Sequence, residues 1–261
     1  RRDHVITREM DSDREKVLLV TGASRGIGAA IARRAGRSHW RVAVNYLQAR
    51  DAAEAVVRDI EAAGGSAEAL PGDVASEEGV RHLFEKVDHR FGRLDGLVNN
   101  AGVAGRPGRV DGLDGAELKR VFEVNVFGAF FCAREAVRRM SRERGGRGGA
   151  IVNISSGAAT LGSGGEFVHY AASKGAINTM TLGLAREVAR EGIRVNAVEP
   201  GLIETDLHEA IGGAERTKRL LGTIALGRTA AAEEIAEPVL FLLSDAASYV
   251  TGAILRAAGG R

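Results

Sequence analysis

The sequence predicts an α/β protein with one doubly wound, mostly parallel sheet of about seven strands and helices on both faces. Two observations support this: short apolar or β-branched runs alternate strictly with longer amphipathic stretches, and a glycine-rich turn follows the first run. Strands that alternate with helices are joined by right-handed crossovers and therefore lie parallel. No internal repeat, proline-rich linker or break in composition divides the sequence after residue 15, so we expect a single domain over 16–261.

The predicted elements follow each other in order along the chain. Short apolar or β-branched runs predict strands at 17–20, 42–44, 67–70, 96–98, 150–154, 194–198 and 253–255. Amphipathic stretches predict helices at about 26–37, 50–63, 76–91, 115–142, 169–191 and 232–244. Two segments interrupt the alternation. Gly145–Gly149 is expected to be a flexible turn, and 202–228, which follows a strand, is expected to cover a substrate site.

Composition excludes several classes of protein. Nearly balanced charge, with 36 Lys and Arg against 34 Asp and Glu, disfavours nucleic acid as the main partner. The single cysteine, Cys132, excludes an intramolecular disulfide and fits a reducing, cytoplasmic location. The six histidines lack metal-ligand spacing, so no metal site is expected. No apolar run is long enough for a transmembrane helix, so no membrane partner is expected.

Residues 1–15 are polar and are expected to form a disordered arm. They lack the apolar stretch of a signal peptide, and Met10 is a candidate start of the chain. We therefore place the folded domain after this arm.

The glycine-rich turn, Thr21-Gly22-Ala23-Ser24-Arg25-Gly26-Ile27-Gly28, lies between the first predicted strand and the first predicted helix. Gly22 permits a tight turn, Gly26 lets the backbone approach phosphates, and Gly28 lets helix and strand pack closely. The helix N-terminus adds free N–H donors and about half a positive charge. The turn therefore predicts a Rossmann-type dinucleotide site, with Ser24, Arg25 and Ile27 as further cofactor contacts.

The end of the second predicted strand indicates which dinucleotide binds. A site that prefers NAD usually has Asp or Glu there for the ribose 2′-hydroxyl. This chain has Asn45 and Tyr46 instead, while Arg25 and Arg50 are placed to approach a 2′-phosphate. We therefore expect NADP(H), with NAD(H) as the alternative, because a small register shift would bring Asp51 to the ribose.

Further motifs follow in order: Asp73-Val74, Asn99-Asn100-Ala101-Gly102, Asn125, Ser155-Ser156, Tyr170-Ala171-Ala172-Ser173-Lys174, Pro200-Gly201 and Ser248-Tyr249-Val250-Thr251-Gly252. Together with the glycine turn they resemble the short-chain dehydrogenase/reductase family over nearly the whole chain from Lys16. The resemblance is strongest to the bacterial branch of ketoacyl reductases and glucose-dehydrogenase-like enzymes. One departure is Ala258, since the family more often has an acidic residue before the final Gly-Gly.

The resemblance implies a catalytic set of Asn125, Ser156, Tyr170 and Lys174. Tyr170 would give a proton to a carbonyl oxygen on reduction or take it from an alcohol on oxidation. Lys174, one helical turn away, would favour the phenolate and bind the nicotinamide ribose. Ser156 would bind the substrate oxygen, with Ser155 as the competing choice, and Asn125 would hold a water that exchanges protons with Lys174.

The resemblance also implies cofactor contacts after other strands. The adenine would contact Asp73 and Val74. The adenosine ribose would contact Asn99, Ala101 and Gly102. The nicotinamide amide would contact Pro200, Gly201, Ile203 and Thr205. Glu166, Phe167 and Leu202 are candidates to line the substrate pocket.

The expected function is that of an NADP(H)-dependent oxidoreductase that interconverts a ketone or aldehyde with an alcohol by hydride transfer. The alternatives are a 3-oxoacyl-[acyl-carrier-protein] reductase and a non-catalytic dinucleotide-sensing protein. A sensor would typically lack the tyrosine or the lysine, and both are present here. The family implies a homotetramer, or a dimer, built through the helices at 115–142 and 169–191, whose apolar faces suit burial.

Overall fold

The computed structural model describes residues 16–204 and 213–261, in which seven parallel strands form one sheet in the order β3-β2-β1-β4-β5-β6-β7. The strands are β1 (Lys16–Val20), β2 (Trp40–Tyr46), β3 (Ser66–Pro71), β4 (Gly96–Asn99), β5 (Gly149–Ile154), β6 (Ile193–Pro200) and β7 (Ile254–Ala257). The doubly wound fold is confirmed. The predicted arm at 1–15 lies outside the described residues.

The helices are α1 (Gly26–Gly36), α2 (Arg50–Ala62), α3 (Glu77–Phe91), α4 (Gly115–Phe122), α5 (Gly128–Met140), α6 (Ala158–Leu161), α7 (Val168–Val188), α8 (Gly213–Leu221) and α9 (Ala232–Leu243). The prediction of a single helix over 115–142 is wrong in one respect, because a π-helical turn at Glu123–Phe127 separates α4 from α5. Helices α6 and α8 were not predicted. None of the described helices combines the length and hydropathy needed to span a bilayer.

The sheet has a core on each face. In β1, Leu18 and Val20 pack with residues of α1, α2 and α9, whereas Val17 and Leu19 pack with residues of α3, α5 and α7. This alternation follows from the two-residue period of a strand, and both sides are apolar because helices cover both faces.

An ion cluster joins α3 to α5. The buried Glu135 carboxylate accepts hydrogen bonds from Arg138 Nη1 at 2.7 Å and Arg139 Nη1 at 2.8 Å. Arg139 Nη2 also donates to Asp88 Oδ2 on α3 at 2.7 Å. Burial alone would raise the pKa of Glu135, but the hydrogen bonds and charges of Arg139 and Arg138 outweigh it and lower that pKa.

The sheet order places the functional site. Successive strands run from β1 toward β3 on one side and from β4 toward β7 on the other, so the winding reverses between β1 and β4. In open α/β sheets, ligands bind in the crevice at the carboxyl ends of the strands beside such a reversal. The glycine turn after β1 and the Asn-Asn motif at the end of β4 therefore lie side by side.

Candidate active site

The glycine turn between β1 and α1 leaves no room for a side chain at Gly22 or Gly28. Gly22 has φ +61°, in the left-handed region. A Cβ on Gly28 would lie 2.6 Å from the Gly22 carbonyl oxygen, and one on Gly22 would lie 2.9 Å from the Ala101 Cα. The helix that follows has no side-chain cap at its N-terminus and no acidic residue in its first turn. Uncapped N–H groups in a tight cradle fit a pyrophosphate, so the residues present suit a dinucleotide.

Asn100 fixes this turn to the loop after β4. Its Nδ2 donates to the carbonyl oxygens of Thr21 at 2.9 Å and Gly22 at 3.0 Å. Thr21 Oγ1 in turn accepts from the backbone N–H groups of Asn100 and Ala101, at 3.0 and 3.1 Å. Asn100 was not predicted as a site residue, since nothing in the Asn-Asn pair distinguishes its two members in this role. Asn99, which was predicted, is buried and donates to Asn153 Oδ1 at 2.9 Å, a link between β4 and β5.

Asn45 supports the turn from the other side. Its Oδ1 accepts from the Gly22 N–H at 3.2 Å, and its Nδ2 donates to the carbonyl oxygens of Leu70 at 3.2 Å and Gly72 at 3.1 Å. The side chain is buried and its amide is engaged with the protein. The structure thus places Asn45 as an uncharged brace between the glycine turn and β3.

The charged side chains near the end of β2 differ in whether another side chain binds them. Arg25 is exposed and precedes α1, and no ion pair or hydrogen bond joins its side chain to another described residue. Arg50 instead bonds Glu54 Oε1 at 2.7 Å on the surface of α2. Asp51 lies in the first turn of α2, beyond the strand end at Tyr46, so the register that would bring it to that strand end is not observed.

Tyr170 and Lys174 both lie at the start of α7, as predicted. Lys174 Nζ lies 5.7 Å from the centre of the Tyr170 ring and donates to the Ile154 carbonyl oxygen at 2.8 Å. Ser155 Oγ donates to the Lys174 carbonyl oxygen at 3.1 Å, which fastens α7 to the end of β5. Ser156 hydrogen-bonds the Tyr170 side chain, and its Oγ accepts from the Ala158 N–H at 3.1 Å. The two serines therefore have different surroundings, and only Ser156 bonds the phenol.

Asn125 lies in the π-helical turn and faces the same cluster. Its Oδ1 accepts from the Val103 N–H at 2.8 Å, and its Nδ2 donates to the Val103 carbonyl oxygen at 2.9 Å and to Ser173 Oγ at 3.0 Å. A Cβ on Gly102 would be 3.3 Å from Asn125 Oδ1 and 3.5 Å from Lys174 Nζ. Asn125, Gly102 and Lys174 therefore lie next to one another. π-Helical turns are frequent at functional sites, and the position of this one agrees with that.

Burial controls the protonation of this cluster. It lowers the pKa of Lys174 to about 8. It raises the pKa of Tyr170, against the smaller opposing effects of the Ser156 hydrogen bond and the Arg216 charge. Lys174, whose Nζ bonds the Ile154 carbonyl oxygen, is not among the groups that shift the pKa of Tyr170. That the lysine favours the phenolate stays a prediction.

A cavity of about 150 Å³ lies at the carboxyl ends of β4, β5 and β6. Ser156, Tyr170 and Lys174 line one part of it. Predicted cofactor residues that also line it are Ile27, Gly102, Pro200, Gly201 and Ile203. The remaining described ones lie in the glycine turn, at the ends of β2 and β4, or just after β3 and β4, along the same edge of the sheet. Thr205 lies outside the described residues.

The substrate side of this cavity differs in part from the expected one. Phe167 and Leu202 line it, as predicted, but Glu166 instead forms ion pairs with Arg216 and Arg219 of α8. Arg216 and Arg261 line the cavity and were not predicted, because neither the spacing within 202–228 nor the sequence after β7 indicates which charged side chains face inward. Within 16–204 and 213–261, no cluster of three or more His, Cys, Asp or Glu side chains is placed to hold a metal ion.

Comparisons with known proteins identify relatives that match nearly the whole chain. A family model described as "Enoyl-(Acyl carrier protein) reductase" matches residues 22–261. The chain is 48% identical over 245 residues to an uncharacterized oxidoreductase of Escherichia coli, YgfF, with 94% of this chain and 99% of that protein covered. It is 40% identical over 245 residues to the 3-oxoacyl-[acyl-carrier-protein] reductase FabG of Staphylococcus aureus, with 94% and 97% covered.

Solved structures give the same result. A short chain dehydrogenase from Burkholderia cenocepacia in complex with NADP matches with a TM-score of 0.87 at 36% identity, covering 94% of this chain and 97% of that one. The chain therefore belongs to the short-chain dehydrogenase/reductase family of oxidoreductases.

Proposed function

We propose that this protein is an NADP(H)-dependent oxidoreductase that interconverts a ketone or aldehyde with an alcohol. One observation carries the proposal: Ser156, Tyr170 and Lys174 line a single cavity at the sheet edge that also bears the uncapped glycine turn. A reacting carbonyl group at Ser156 and Tyr170 would thus lie beside the cofactor cradle.

Proton transfer is the task of Tyr170. Because burial raises its pKa, the phenol keeps its proton at neutral pH and donates it to the carbonyl oxygen. Ser156, which bonds the phenol, holds the same oxygen in place. Bound in the cradle, the reduced nicotinamide supplies the hydride. Lys174, fixed by the Ile154 carbonyl oxygen, has further N–H donors for the nicotinamide ribose, and Asn125 keeps the 103 loop against α7.

Preference for NADP(H) is supported at the end of β2. The brace there, Asn45, is uncharged, and the exposed guanidinium of Arg25 is the group we assign to the 2′-phosphate. Arg50 is less suited, since it is bonded to Glu54. The Burkholderia relative is described with NADP, which agrees.

A 3-oxoacyl-[acyl-carrier-protein] reductase is the second candidate. The observation that favours it is the 40% identity to the Staphylococcus aureus reductase over 94% of this chain. It requires that ketoacyl thioesters be reduced faster than small free carbonyl compounds.

We further propose a homotetramer in the cytoplasm. Phe127 and Phe130, beside and within α5, keep 49% and 50% of their surface exposed, and Val168 and Leu182 of α7 are also exposed. Large exposed apolar side chains on neighbouring helices are typical of interfaces. The single Cys132 is free and buried, as suits a reducing compartment.

Oxidation of NADPH and of NADH over a panel of ketoacyl thioesters, diketones, sugar lactones and quinones tests the proposal, with Tyr170→Phe as control. We expect turnover with NADPH that falls by at least about 100-fold in the variant. Faster turnover with NADH would overturn the cofactor preference. Cofactor binding without turnover in either protein would favour the sensing alternative.

A further inference from the structure

An arginine pair on α8 is tied to the loop before α7 by one carboxylate. Glu166 accepts a hydrogen bond from Arg216 Nε at 3.2 Å and another from Arg219 Nη2. The two arginines differ in position. Arg216 has a side chain only 15% exposed and lines the cavity, whereas the Arg219 side chain is 59% exposed and lies outside it.

Arg216 is well held. Its guanidinium carbon lies 5.6 Å from the centre of the Phe167 ring, which also lines the cavity, and Glu166 binds its Nε. Among the described residues, no hydrogen-bond acceptor is assigned to its two terminal amino groups. A planar, positioned guanidinium with a free edge is the group that best binds a carboxylate through two parallel hydrogen bonds.

The cavity has an excess of positive charge at this end. Arg216 and Arg261 both line it, and no Asp or Glu is among its described lining residues. The pKa of Arg261 is lowered first by burial and then by the like charge of Arg216. The pKa of Glu166, which burial alone would raise, is lowered by the hydrogen bonds of Arg219 and Arg216. An anion between Arg216 and Arg261 would relieve this repulsion.

The reactive end and the charged end belong to the same small space. Ser156, Tyr170 and Arg216 all line a cavity of about 150 Å³. The charge of Arg216 also acts on the Tyr170 phenol, so the two groups lie within electrostatic range. Pockets for drug-sized ligands usually measure about 300–1,000 Å³. This cavity is smaller, and predicted cofactor residues line part of it, so the space that remains suits a compact substrate.

We infer that the substrate is a small oxo acid, whose carboxylate binds the guanidinium of Arg216 while its carbonyl oxygen lies at Ser156 and Tyr170. The inference rests on the proposed carbonyl reduction and adds the substrate class. Arg216 thus determines specificity, and Phe167 and Glu166 position it.

The test compares acids with their own methyl esters, because the ester removes the charge and leaves the ketone. NADPH oxidation is measured with 2-oxobutanoate, 3-oxobutanoate and 4-oxopentanoate and with the three methyl esters. For at least one chain length, we expect the acid to exceed its ester in kcat/KM by about 10- to 100-fold, as charged hydrogen bonds allow.

Two variants of α8 separate specificity from support of the helix. In Arg216→Gln, the acid-to-ester ratio of kcat/KM should fall by about 10- to 100-fold, mainly through KM. In Arg219→Gln, which loses a bond to the same Glu166 but lies outside the cavity, the ratio should stay within about twofold. An unchanged ratio in Arg216→Gln, or esters reduced as well as acids by the unaltered protein, would overturn the inference.

Calorimetric binding of the same acids and esters to the protein saturated with NADP+ distinguishes the two levels of proposal. Binding that prefers the acid and depends on Arg216, without turnover, would support Arg216 as a carboxylate-binding group and refute the reductase. Turnover of neutral carbonyl compounds without any preference for acids would refute the substrate class and leave the reductase standing. Neither turnover nor preferential binding would refute both.

Discussion

Lys174 is a buried cation that lowers the stability of the fold and is expected to take part in the reaction. It lies within the protein, and its ammonium donates to the Ile154 carbonyl oxygen. Burial lowers its pKa from 10.5 to about 8, so below pH 8 the folded chain carries a charge that water would solvate better. A residue of this kind is retained for what it does to a ligand.

Replacing Lys174 by Met should raise stability and remove activity. Loss of the buried charge should raise the free energy of unfolding of the cofactor-free protein by about 1–3 kcal/mol at pH 7, offset in part by the donor lost to the Ile154 carbonyl oxygen. Turnover should fall by about 100-fold or more. Between pH 8 and pH 10.5 the unfolded chain binds more protons at Lys174, so the stability of the unaltered protein should rise with pH and approach that of the variant. Denaturant titrations at pH 7 and pH 10 measure this, and a less stable variant at pH 7 would contradict it.

The adjacent serines should respond differently to alanine. Ser155→Ala leaves the Lys174 carbonyl oxygen without its buried donor, so we expect a loss of about 1–3 kcal/mol in unfolding free energy. Ser156→Ala should reduce kcat by about 100- to 1,000-fold with little change in stability. Thermal unfolding and steady-state kinetics on both variants check the assignment, and the reverse pattern would exchange their roles.

The direction of the reaction should depend on pH through Tyr170. Because its pKa is raised, the phenol needed for carbonyl reduction persists across neutral pH. Alcohol oxidation needs the phenolate and should therefore accelerate toward alkaline pH, while reduction should slow there. Initial rates in both directions from pH 6 to pH 10 measure this. A reduction rate that climbs steadily with pH would show that another group transfers the proton.

Sequence spacing could predict where these residues lie but not their protonation. Four residues on a helix bring Tyr170 and Lys174 to one face whatever surrounds them. The pKa of Tyr170 instead depends on burial and on Arg216, 46 positions further along the chain. Arg216 likewise could not be recognised as a cavity residue, because its partner Glu166 is 50 residues away.

Helices were predictable where their apolar pattern was long and regular. The apolar pattern over 115–142 spans α4 and α5. The π-helical turn between them, at Glu123–Phe127, hardly changes this pattern, so the turn could not be predicted from the sequence. In that turn, the side-chain oxygen and nitrogen of Asn125 both hydrogen-bond the backbone of Val103. Helix α6 has four residues, too few for periodicity, and α8 is mostly polar and exposed.

The contact between α3 and α5 gives a prediction at this scale. Glu135→Gln should lower the free energy of unfolding by about 1–3 kcal/mol, since hydrogen bonds to charged partners are lost in a buried place. The matched control is Glu85→Gln, which breaks the exposed pair with Arg81 on α3 and should cost less than about 0.5 kcal/mol.

The pH dependence of Glu135 follows from its lowered pKa. Its contribution is complete above the unfolded value of 4.5 and is lost as pH falls through the lower folded value. Denaturation curves at pH 7 and pH 3 should therefore differ more between the unaltered protein and Glu135→Gln at the higher pH. A difference that does not shrink in acid would argue against the ion cluster.

For the whole molecule, alternation of strand and helix was enough to predict the parallel sheet, because right-handed crossovers leave few other arrangements. Its winding reversal between β1 and β4 then explains why motifs from distant parts of the sequence converge on one edge. The alternation does not predict how the segment after β6 packs over the cavity, because Leu202, Ile203 and α8 are positioned by tertiary packing. Assembly likewise depends on which apolar side chains the fold leaves exposed.

The proposed tetramer has a direct test. We expect sedimentation to give about four times the 27.5 kDa subunit mass, and Phe130→Asp, on the exposed face of α5, to dissociate it. Circular dichroism and NADPH binding of the variant would show whether the subunit itself remains folded. A mass of one subunit for the unaltered protein would refute the assembly.

The position of Asn45 also limits how this enzyme can be redesigned to use NAD(H). An Asp at position 45 would bury a carboxylate and set its oxygens against the carbonyl oxygens of Leu70 and Gly72, to which the amide now donates. An Asp oxygen would still accept from the Gly22 N–H, but repulsion from those two carbonyl oxygens would displace the side chain and with it the turn, so cofactor binding would weaken before its preference changed. Leu47, one residue beyond β2 and 60% exposed, offers an acidic substitution without that penalty. The practical route to a changed cofactor thus begins outside the strand, where no internal hydrogen bond has to be given up.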